Sequence, residues 1–454
     1  MTRIAVIGCG YVGAVSAACF AELGHTVDCV DTDKERIAML RAGRSPIHEP
    51  GLDELILKGL NAGRLHFHDS YMDQFEAQIV FIAVNTPESQ EGAADIRAVR
   101  DAVSTVAPRL LPGSIIVNKS TVPIGTGDLV SGMAHRSGNG SISVVSNPEF
   151  LREGSAIDDF MSPDRIVLGS DDPDAIERVA ELYAPLEAVV QRVDIRTAEM
   201  VKYASNAFLA TKISFINEIA SICEALGADV EQVARGMGMD ARIGMQFLKS
   251  GLGWGGSCFP KDVKALAHMA AVHGTHPQLL RSVMEINSGQ RLRTIQKVRQ
   301  ALGGLEGRRV AILGAAFKAD TDDIRNSPAL DLASLLLLEG AEVAIFDPVV
   351  PGDRIARAVP AARVACSAID ASADADALIL ATDWPEFREI DLRELAASMR
   401  NNVIVDARNF FDPARVRAAG FEYRALGRPG VEGGPVGGRA AARLSVVEVV
   451  AADA

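Results

Sequence analysis

Short apolar runs alternate with helical patterns through the first part of the chain. Residues 4–7 have the composition of a buried strand, an apolar helical pattern follows over 12–23, and residues 26–30 form a second apolar run. Further strands are predicted at 79–84, 114–117 and 143–145. Strands separated by helices are typical of a parallel sheet with helices on both faces. The pattern therefore predicts a doubly wound domain at the start of the chain.

A different periodicity begins near residue 197. Apolar residues recur there at the spacing of one long helix, at Met200, Val201, Ala204, Phe208, Phe215, Ile216, Ile219 and Ile222. Helical sequence continues to about residue 302, and the alternation of strand and helix then returns. We predict two Rossmann-like doubly wound parallel-sheet domains, joined by a central helical domain with a long helix. Their bounds are 1–196, 197–304 and 305–454, with a flexible glycine-rich tail from residue 427.

A glycine motif connects the first predicted strand to its helix. Gly8, Gly10 and Gly13 follow the Gly-x-Gly-x-x-Gly spacing, which allows a tight turn, close approach to a pyrophosphate and close helix packing. Asp31 ends the second strand, where a carboxylate accepts hydrogen bonds from a ribose and repels a 2′-phosphate. Arg36 lies nearby and could serve the ribose or phosphate. These features predict NAD as the cofactor of the first domain.

The third segment resembles the first. A strand and turn at 309–314 and a second strand at 342–346 lead to Asp347, in the place that Asp31 holds in the first unit. The glycine motif is degraded here to Gly314-Ala-Ala-Phe-Lys318. We therefore expect a nucleotide other than NAD, with Lys318 positioned to hold a phosphate.

Polar residues follow several predicted strands. Thr86, Ser120 and Thr121 stand just after two of them, and residues 147–149 follow a third. Ligands of parallel sheets bind beyond the carboxyl ends of the strands. We expect Thr86, Ser120 and Thr121 to contact NAD.

A single cysteine stands out in the central segment. Cys258 follows two glycines, and Pro260 can open a helix directly after it. A thiolate is favoured at a helix N-terminus, and Asp262 lies one turn further on the same face. The sequence predicts that Cys258 is a nucleophile. Its alternative is a small buried hydrophobic residue, which is the usual fate of a free cysteine.

Composition excludes several classes of function. The net charge of −13 argues against nucleic acid or an anionic membrane surface as a partner. No apolar run reaches membrane-spanning length and the chain starts with a strand, which indicates a cytoplasmic protein. The six cysteines and eight histidines lack the spacing of a disulfide framework or a metal site. We therefore expect no metal.

Several motifs carry a resemblance that extends to about residue 426. They are the glycine motif from Gly8 to Gly13, residues 147–154, residues 202–208, residues 255–262 and residues 317–325. On these motifs the chain resembles the UDP-glucose/GDP-mannose dehydrogenase family. The resemblance implies a four-electron oxidation of UDP-glucose to UDP-glucuronate, with two NAD molecules and a cysteine.

The resemblance also implies residue roles. Cys258 would trap the aldehyde as a thiohemiacetal and carry the later thioester, while Lys202 and Asn206 would meet the C6 oxygen. Asp262, with a water, would be the first base and Glu149 the hydrolytic base, with Thr121 as a further candidate.

Binding residues are implied at two sets of positions. The NAD contacts are Gly8, Gly10, Tyr11, Val12, Gly13, Asp31, Arg36, Thr86, Ser120, Thr121, Glu153, Lys261 and Arg325. The substrate contacts are Glu149, Phe150, Leu151, Arg152, Glu153, Lys202, Asn206, Arg242, Phe247, Leu248, Lys249, Ser250, Gly251, Gly255, Lys318 and Arg408. Arg242 would reach the site of a partner subunit, so the resemblance implies a homodimer or larger homo-oligomer.

Two alternatives stay open at this point. A sister enzyme acting on GDP-mannose or a UDP-N-acetylhexosamine would share the cysteine and both folds. A nucleotide-sugar binding protein without catalysis would keep the fold. The second is disfavoured, because binding alone requires no thiol.

Overall fold

The computed structural model describes residues 1–89, 92–137 and 141–429. Within these residues the chain forms two sheets, one at each end, with a group of helices between them. Most of the glycine-rich tail predicted from residue 427 lies outside the described residues.

The first sheet contains eight strands in the order β3-β2-β1-β4-β5-β6-β7-β8. Neighbouring strands are parallel except β6 and β7, which pair antiparallel, so the last two strands run opposite to the others. The strands are β1 Arg3–Ile7, β2 Thr26–Val30, β3 Leu65–His68, β4 Ile79–Ile82, β5 Ile115–Asn118, β6 Ser143–Ser146, β7 Ile166–Gly169 and β8 Val190–Val193.

Helices cover this sheet because its central strands are apolar on both faces. Ile4, Val6 and Phe81 pack into one core, whereas Ala5, Ile7 and Val80 pack into a second on the opposite face. The helices are α1 Tyr11–Glu22, α2 Lys34–Arg41, α3 Leu52–Asn61, α4 Arg97–Val106, α5 Thr126–Arg136, α6 Ala156–Met161 and α7 Pro173–Ala180, with short 3₁₀ turns at Ala107–Arg109 and Glu181–Leu186.

The central region is helical. Its main element is α8, Ile195–Leu226, a helix of 32 residues that begins at the N-cap Asp194 and ends at the left-handed Gly227. Three more helices pack beside it or follow it: α9 Val230–Gly238, α10 Phe259–Val272 and α11 Gln278–Leu302. Trp254 and Val263 join α8, α10 and α11 in one apolar cluster.

The second sheet has six parallel strands in the order β11-β10-β9-β12-β13-β14. They are β9 Arg309–Leu313, β10 Glu342–Phe346, β11 Arg363–Val364, β12 Ala377–Leu380, β13 Val403–Asp406 and β14 Glu422–Ala425. The helices are α12 Pro328–Leu338, α13 Gly352–Ala358, α14 Ala368–Ser372, α15 Leu392–Ser398 and α16 Pro413–Ala418, with a 3₁₀ turn at Pro385–Glu389. The predicted fold class is confirmed.

Candidate active site and cofactor site

The turn after β1 has the geometry that the glycine motif predicts. Gly8 has φ +97°, and a Cβ there would lie 2.7 Å from the Ala83 carbonyl oxygen. A Cβ on Gly13 would lie 1.8 Å from the Gly8 oxygen, so only glycine lets α1 pack against the turn. The nearest atom to a Cβ on Gly10 is Asn85 Oδ1 at 3.5 Å. The turn therefore fits the pyrophosphate of a dinucleotide at the start of α1.

Asp31 lies beside this turn. Its Oδ2 accepts a hydrogen bond from the Cys9 backbone N–H at 2.7 Å and lies 2.9 Å from Arg36 Nη1. Its Oδ1 accepts from the Asp33 backbone N–H, and the residue stays partly exposed. The carboxylate is thus fixed at the end of β2, where a ribose hydroxyl would meet it.

Sequence reasoning missed Glu49, which lies beside Tyr11 at the start of α1. Glu49 is buried and accepts hydrogen bonds from the Tyr11 hydroxyl and from the backbone N–H groups of Gly154 and Ala156. Burial and Glu49 raise the pKa of Tyr11. Glu49 comes from a loop with no periodic pattern, so its role depends on contacts that are distant in sequence.

The strand-end residues Thr86, Ser120 and Thr121 are close together, and their contact with NAD stays a prediction. The Thr86 hydroxyl donates to the Thr121 carbonyl at 2.7 Å, and the Ser120 hydroxyl donates to the Val84 carbonyl at 2.7 Å. Both hydroxyls therefore fix the loops after β4 and β5 to each other.

Cys258 is the N-cap of α10, and Pro260 lies in the first turn. The Asp262 backbone N–H donates to the Cys258 carbonyl at 2.9 Å, and Ser257 Oγ lies 3.6 Å from Cys258 Sγ. Burial raises the pKa of Cys258 to about 11, although Lys202 opposes the shift. The expectation that the helix N-terminus favours a thiolate is wrong here, because burial outweighs it. A base must therefore take the thiol proton during a reaction.

Lys202 and Glu149 form a buried ion pair next to the cysteine. Lys202 Nζ donates to Glu149 Oε1 at 2.8 Å, and the Leu151 backbone N–H donates to Glu149 Oε2. Burial alone would lower the pKa of Lys202, but Glu149, Cys258 and Asp262 outweigh it and the pKa is raised. Burial would likewise raise the pKa of Glu149, but Lys202 outweighs it and the pKa is lowered. Both groups are therefore charged.

Asp262 accepts hydrogen bonds from two side chains, Asn206 and Lys261. Asn206 Nδ2 donates to Asp262 Oδ2 at 2.6 Å, and Lys261 Nζ donates to Oδ1 at 2.7 Å. Asn206 lies one turn after Lys202 on the buried face of α8. The structure thus brings Lys202, Asn206 and Asp262 to the start of α10.

Glu153, in the first part of the chain, contacts both the central and the third segments. Its carboxylate accepts hydrogen bonds from Ser257 at 3.0 Å and Thr321 at 3.1 Å, and it lies 3.4 Å from Arg325 Nη2. Burial and Asp323 raise the pKa of Glu153 to about 7. The Lys318 ammonium donates to the Glu153 carbonyl. Ser257 and Thr321 were not predicted as site residues.

Three glycines let the third segment approach the cysteine loop. A Cβ on Gly154 would lie 2.4 Å from the Asp320 oxygen, and one on Gly255 would lie 2.1 Å from the Asn326 oxygen. Gly256 has φ +82°, and its Cβ would meet the Phe317 ring at 2.8 Å. The absence of a side chain at Gly255 therefore lets the backbone at Asn326 lie against the cysteine loop.

The predicted substrate loop at 247–251 packs against both the central helices and the third segment. Leu248 is buried in the core with α8 and α9, and Ser250 accepts from Asn409 Nδ2 at 3.0 Å. The Gly251 N–H donates to Asn217 Oδ1. Phe247 has φ +65°, and Lys249 Nζ lies 2.5 Å from Asp383 Oδ2. Contacts with substrate at these residues stay a prediction.

The residues after Glu149 face different surroundings. The Phe150 ring centroid lies 3.8 Å from the Arg165 guanidinium and 5.5 Å from Lys202 Nζ. The Leu151 side chain packs on the first core, and Arg152 pairs with Asp159 at 2.6 Å. Of this group, Phe150 is the side chain in contact with the buried pair.

Two predicted arginines differ in environment. Arg242 is highly exposed and pairs with Asp240 at 2.6 Å. Arg408 donates to the carbonyl groups of Ala381, Gly253 and Phe317, so it ties the third segment to the cysteine loop.

Asp347 does hold the place of Asp31 at the end of its strand. It already accepts from the backbone N–H groups of Ala315, Ala316, Val349 and Val350. Its carboxylate therefore stabilises the turn after β9.

Two further features are absent from the part of the chain that the structure describes. No helix there is long and apolar enough to cross a bilayer. No group of three His, Cys, Asp or Glu side chains there has the geometry to hold a metal ion.

Fold and site together define a dinucleotide-dependent dehydrogenase with a cysteine among its buried polar groups. Residues 2–187, 196–289 and 311–413 match the NAD binding domain, the central domain and the UDP binding domain of one family. The chain belongs to the UDP-glucose/GDP-mannose dehydrogenase family.

Individual relatives agree with this result. The chain is 45% identical over 436 residues to the UDP-glucose 6-dehydrogenase TuaD of Bacillus subtilis, with 95% of each chain covered. A solved UDP-glucose dehydrogenase of Pyrobaculum islandicum matches with TM-score 0.86 and 38% identity, over 94% of this chain and 98% of that one. A UDP-D-ManNAc dehydrogenase of Pyrococcus horikoshii matches with TM-score 0.85 and 28% identity, over 95% and 100%. The predictions of an NAD-dependent dehydrogenase and of NAD as cofactor are confirmed.

Proposed function

We propose that the protein oxidises the C6 alcohol of UDP-glucose to the carboxylate of UDP-glucuronate. The observation that carries the proposal is the convergence of Cys258, Lys202, Asn206 and Asp262 at the start of α10. Identity to the two UDP-glucose dehydrogenases, at 45% and 38%, exceeds the 28% to the UDP-D-ManNAc enzyme. This difference favours UDP-glucose over a UDP-N-acetylhexosamine.

NAD, when bound, accepts one hydride from C6 in each of the two oxidations. The residues proposed to hold it are the glycines after β1 and Asp31, with Thr86 and Ser120 at the neighbouring strand ends. Their geometry fits a dinucleotide, because Gly10 leaves space beside the start of α1 and Asp31 is fixed at the end of β2.

In the first oxidation Asp262 is the proposed base, acting through a water on the C6 hydroxyl. Lys202 and Asn206 then meet the oxygen as it loses its proton. Both are held by a carboxylate on their other side, which fixes their orientation. Fixed donors of this kind are typically worth about 100 to 1000-fold in rate.

Cys258 is proposed to retain the aldehyde. Its sulfur adds to the C6 carbonyl carbon, the base takes the thiol proton and returns it to the carbonyl oxygen, and that oxygen becomes the hydroxyl of a thiohemiacetal. Loss of a hydride from C6 and a proton from that hydroxyl gives a thioester. Because the pKa of Cys258 is raised, Asp262 or Glu149 must accept the thiol proton.

The last step is hydrolysis of the thioester. Glu149 is ionised beside Lys202 and is the proposed base that takes a proton from water. The hydroxide adds to C6, the C–S bond breaks, and the sulfur recovers a proton. The products are the sugar carboxylate and the free thiol.

The nucleotide half of the substrate is proposed to lie between the loop at 247–251 and the third segment. Two cations are available there: Lys318 follows the turn after β9, and Arg408 donates to the Phe317 carbonyl beside it. We propose the boundaries 1–196, 197–304 and 305–454 for the three domains, and a cytoplasmic location.

We also propose a homodimer formed through α8. Phe208, Phe215 and Ile222 are exposed along one side of this helix, and exposed apolar side chains at helical spacing need a partner surface. Met239 and Met245 add exposed apolar surface near Arg242. A second copy of the chain would cover this face and bring Arg242 to the neighbouring site.

The test is the amount of NADH formed per molecule of sugar nucleotide with NAD in excess. UDP-glucose, GDP-mannose and a UDP-N-acetylhexosamine are each supplied as the limiting reagent. We expect two NADH from UDP-glucose. Two NADH from another sugar and none from UDP-glucose would contradict the assignment of UDP-glucose as the substrate. No NADH from any of the three would contradict the proposed dehydrogenase activity.

A matched variant tests the covalent route. Cys258→Ser should bind UDP-glucose and fail to complete the second oxidation. Cys366→Ser, at an exposed cysteine of the third segment, is the control and should release two NADH. Full turnover by Cys258→Ser would contradict the thioester.

A further inference from the structure

Lys119 is a buried lysine that the proposed chemistry does not use. It follows β5 and is 4% exposed. Nζ donates to Asn147 Oδ1 at 3.1 Å and to the Tyr183 hydroxyl at 3.3 Å, and it lies 5.8 Å from the ring centroids of Phe160 and Tyr183. Within the described residues, no carboxylate oxygen lies within 4 Å of it. A buried ammonium without a direct counter-charge is costly, so its presence at this position points to a function.

The neighbours of Lys119 lead directly to the active site. Tyr183 also donates to Asn147 Oδ1 at 2.6 Å, and Asn147 Nδ2 donates to the Val167 carbonyl. Asn147 is therefore held on all sides, two residues before Glu149. Lys119 is anchored to the strand end that presents Glu149 to Lys202.

Electrostatic interaction also couples Lys119 to Glu149. The charged and titratable groups facing Lys119 are Glu149, Lys202, Cys19 and Tyr183. Those facing Glu149 are Lys202 and Lys119, with the Cys258 thiol also within its field. Burial lowers the pKa of Lys119 to about 8, so the ammonium remains the main form at pH 7.

Lys119 adds a second positive charge in the field of Glu149, beside the Lys202–Glu149 pair. The proposed reaction creates one negative charge at a time, on the sulfur or on the C6 oxygen. A fixed positive charge near the pair offsets that negative charge.

We propose that Lys119 is a positioning residue that keeps Glu149 ionised as the hydrolytic base and offsets the negative charge formed during each oxidation. This role rests on the proposed function. It requires no contact between Lys119 and the substrate, since its effect reaches the site through Asn147, Glu149 and Lys202.

The experiment is the pH profile of kcat for Lys119→Met and Lys119→Gln with UDP-glucose. Loss of the cation raises the pKa of Glu149, so the acid limb of the profile moves to higher pH. We expect this limb to move up by about one pH unit, so the ratio of kcat at a pH on the acid limb to kcat at pH 9 falls about tenfold. Lys119→Arg, which keeps the charge, should restore the wild-type ratio.

Lys58→Met is the matched control, because Lys58 forms an exposed pair with Glu22. An unchanged ratio in a folded neutral variant would overturn the proposal. So would failure of both neutral variants to fold while Lys119→Arg folds, since Lys119 would then serve folding. A wild type that does not oxidise UDP-glucose contradicts the proposed function instead, which separates the two failures.

Discussion

Lys202 Nζ lies 2.8 Å from Glu149 Oε1, and both side chains are almost fully buried. Lys202 belongs to α8, and Glu149 follows the end of β6. The pair therefore joins the central helix to the first sheet at the reactive cysteine. Removing one partner of such a pair leaves an uncompensated buried charge.

We expect Lys202→Met to lower kcat by at least about 100-fold, because it removes a fixed donor to the C6 oxygen. The free energy of unfolding should also fall by about 3 kcal/mol, since Glu149 stays buried without its partner. Steady-state kinetics and urea unfolding measure the two effects. Lys212→Met, on a more exposed face of α8, is the control. Wild-type turnover by Lys202→Met would contradict the assigned role.

The raised pKa of Cys258 predicts the rate of its alkylation. With a pKa of about 11, the thiolate fraction and the rate of reaction with iodoacetamide should rise about tenfold per pH unit between pH 7 and pH 10. Lys202→Met should slow the reaction further at every pH, because Lys202 lowers the pKa of the thiol. Mass spectrometry of the labelled peptide gives the rate, with the exposed Cys366 as reference. A plateau below pH 8 would show that burial does not control this thiol.

Glu153 predicts a pH effect on stability. Its pKa in the folded protein is raised from 4.5 to about 7, so the unfolded chain loses the proton first as the pH rises. Glu153 therefore destabilises the fold progressively between about pH 4.5 and pH 7. We expect the free energy of unfolding of Glu153→Gln, relative to wild type, to increase by roughly 2 to 3 kcal/mol from pH 5 to pH 8.

Calorimetry at the two pH values checks this effect. Glu394→Gln is the control at an exposed glutamate of the third segment. A difference between Glu153→Gln and wild type that is constant with pH would contradict the raised pKa.

Gly255 predicts a steric effect on the site. A methyl group there would lie 2.1 Å from the Asn326 carbonyl oxygen, so Gly255→Ala must displace backbone. We expect kcat/KM for UDP-glucose to fall at least about tenfold and the free energy of unfolding to fall by about 1 to 3 kcal/mol. Gly236→Ala in α9, where a Cβ meets nothing within 4 Å, should leave activity unchanged and raise stability by about 0.5 to 1 kcal/mol. Equal effects of the two variants would rule out the close contact.

The proposed dimer predicts a change of mass. Phe208 is 64% exposed on α8, and Phe208→Asp would place a charge in the face that we assign to a second copy. Light scattering should report half the wild-type molar mass for Phe208→Asp. Val189→Asp, at an equally exposed position before β8, should keep the wild-type mass. A monomeric wild type would refute the assignment of α8.

Local pattern was sufficient to predict much of the fold. β2 and β10 match their predicted bounds, and α8 begins two residues before the predicted start. These elements have strong periodicity and clear caps, such as Asp194. The antiparallel step from β6 to β7 was not foreseen, because strand direction depends on how the chain crosses the sheet.

The site likewise contains residues that local motifs predicted and residues that only the folded chain reveals. Cys258, Lys202, Asn206 and Asp262 were predicted from motifs and do meet in space. Glu49 was missed because its partners lie 38 to 107 residues away. The protonated state of the thiol was also missed, since burial is a property of the folded chain.

Gly154, Gly255 and Gly256 have no side chain, and this absence lets the third segment lie close to the cysteine loop and to the loop at Gly154. Every substitution of a glycine adds atoms, so a mutation at these positions can only increase the size of the side chain. Variation in these contacts must therefore come from the residues that face the glycines, such as Phe317, Asp320 and Asn326. The separation between the third segment and the cysteine loop is thus set by the absence of three side chains.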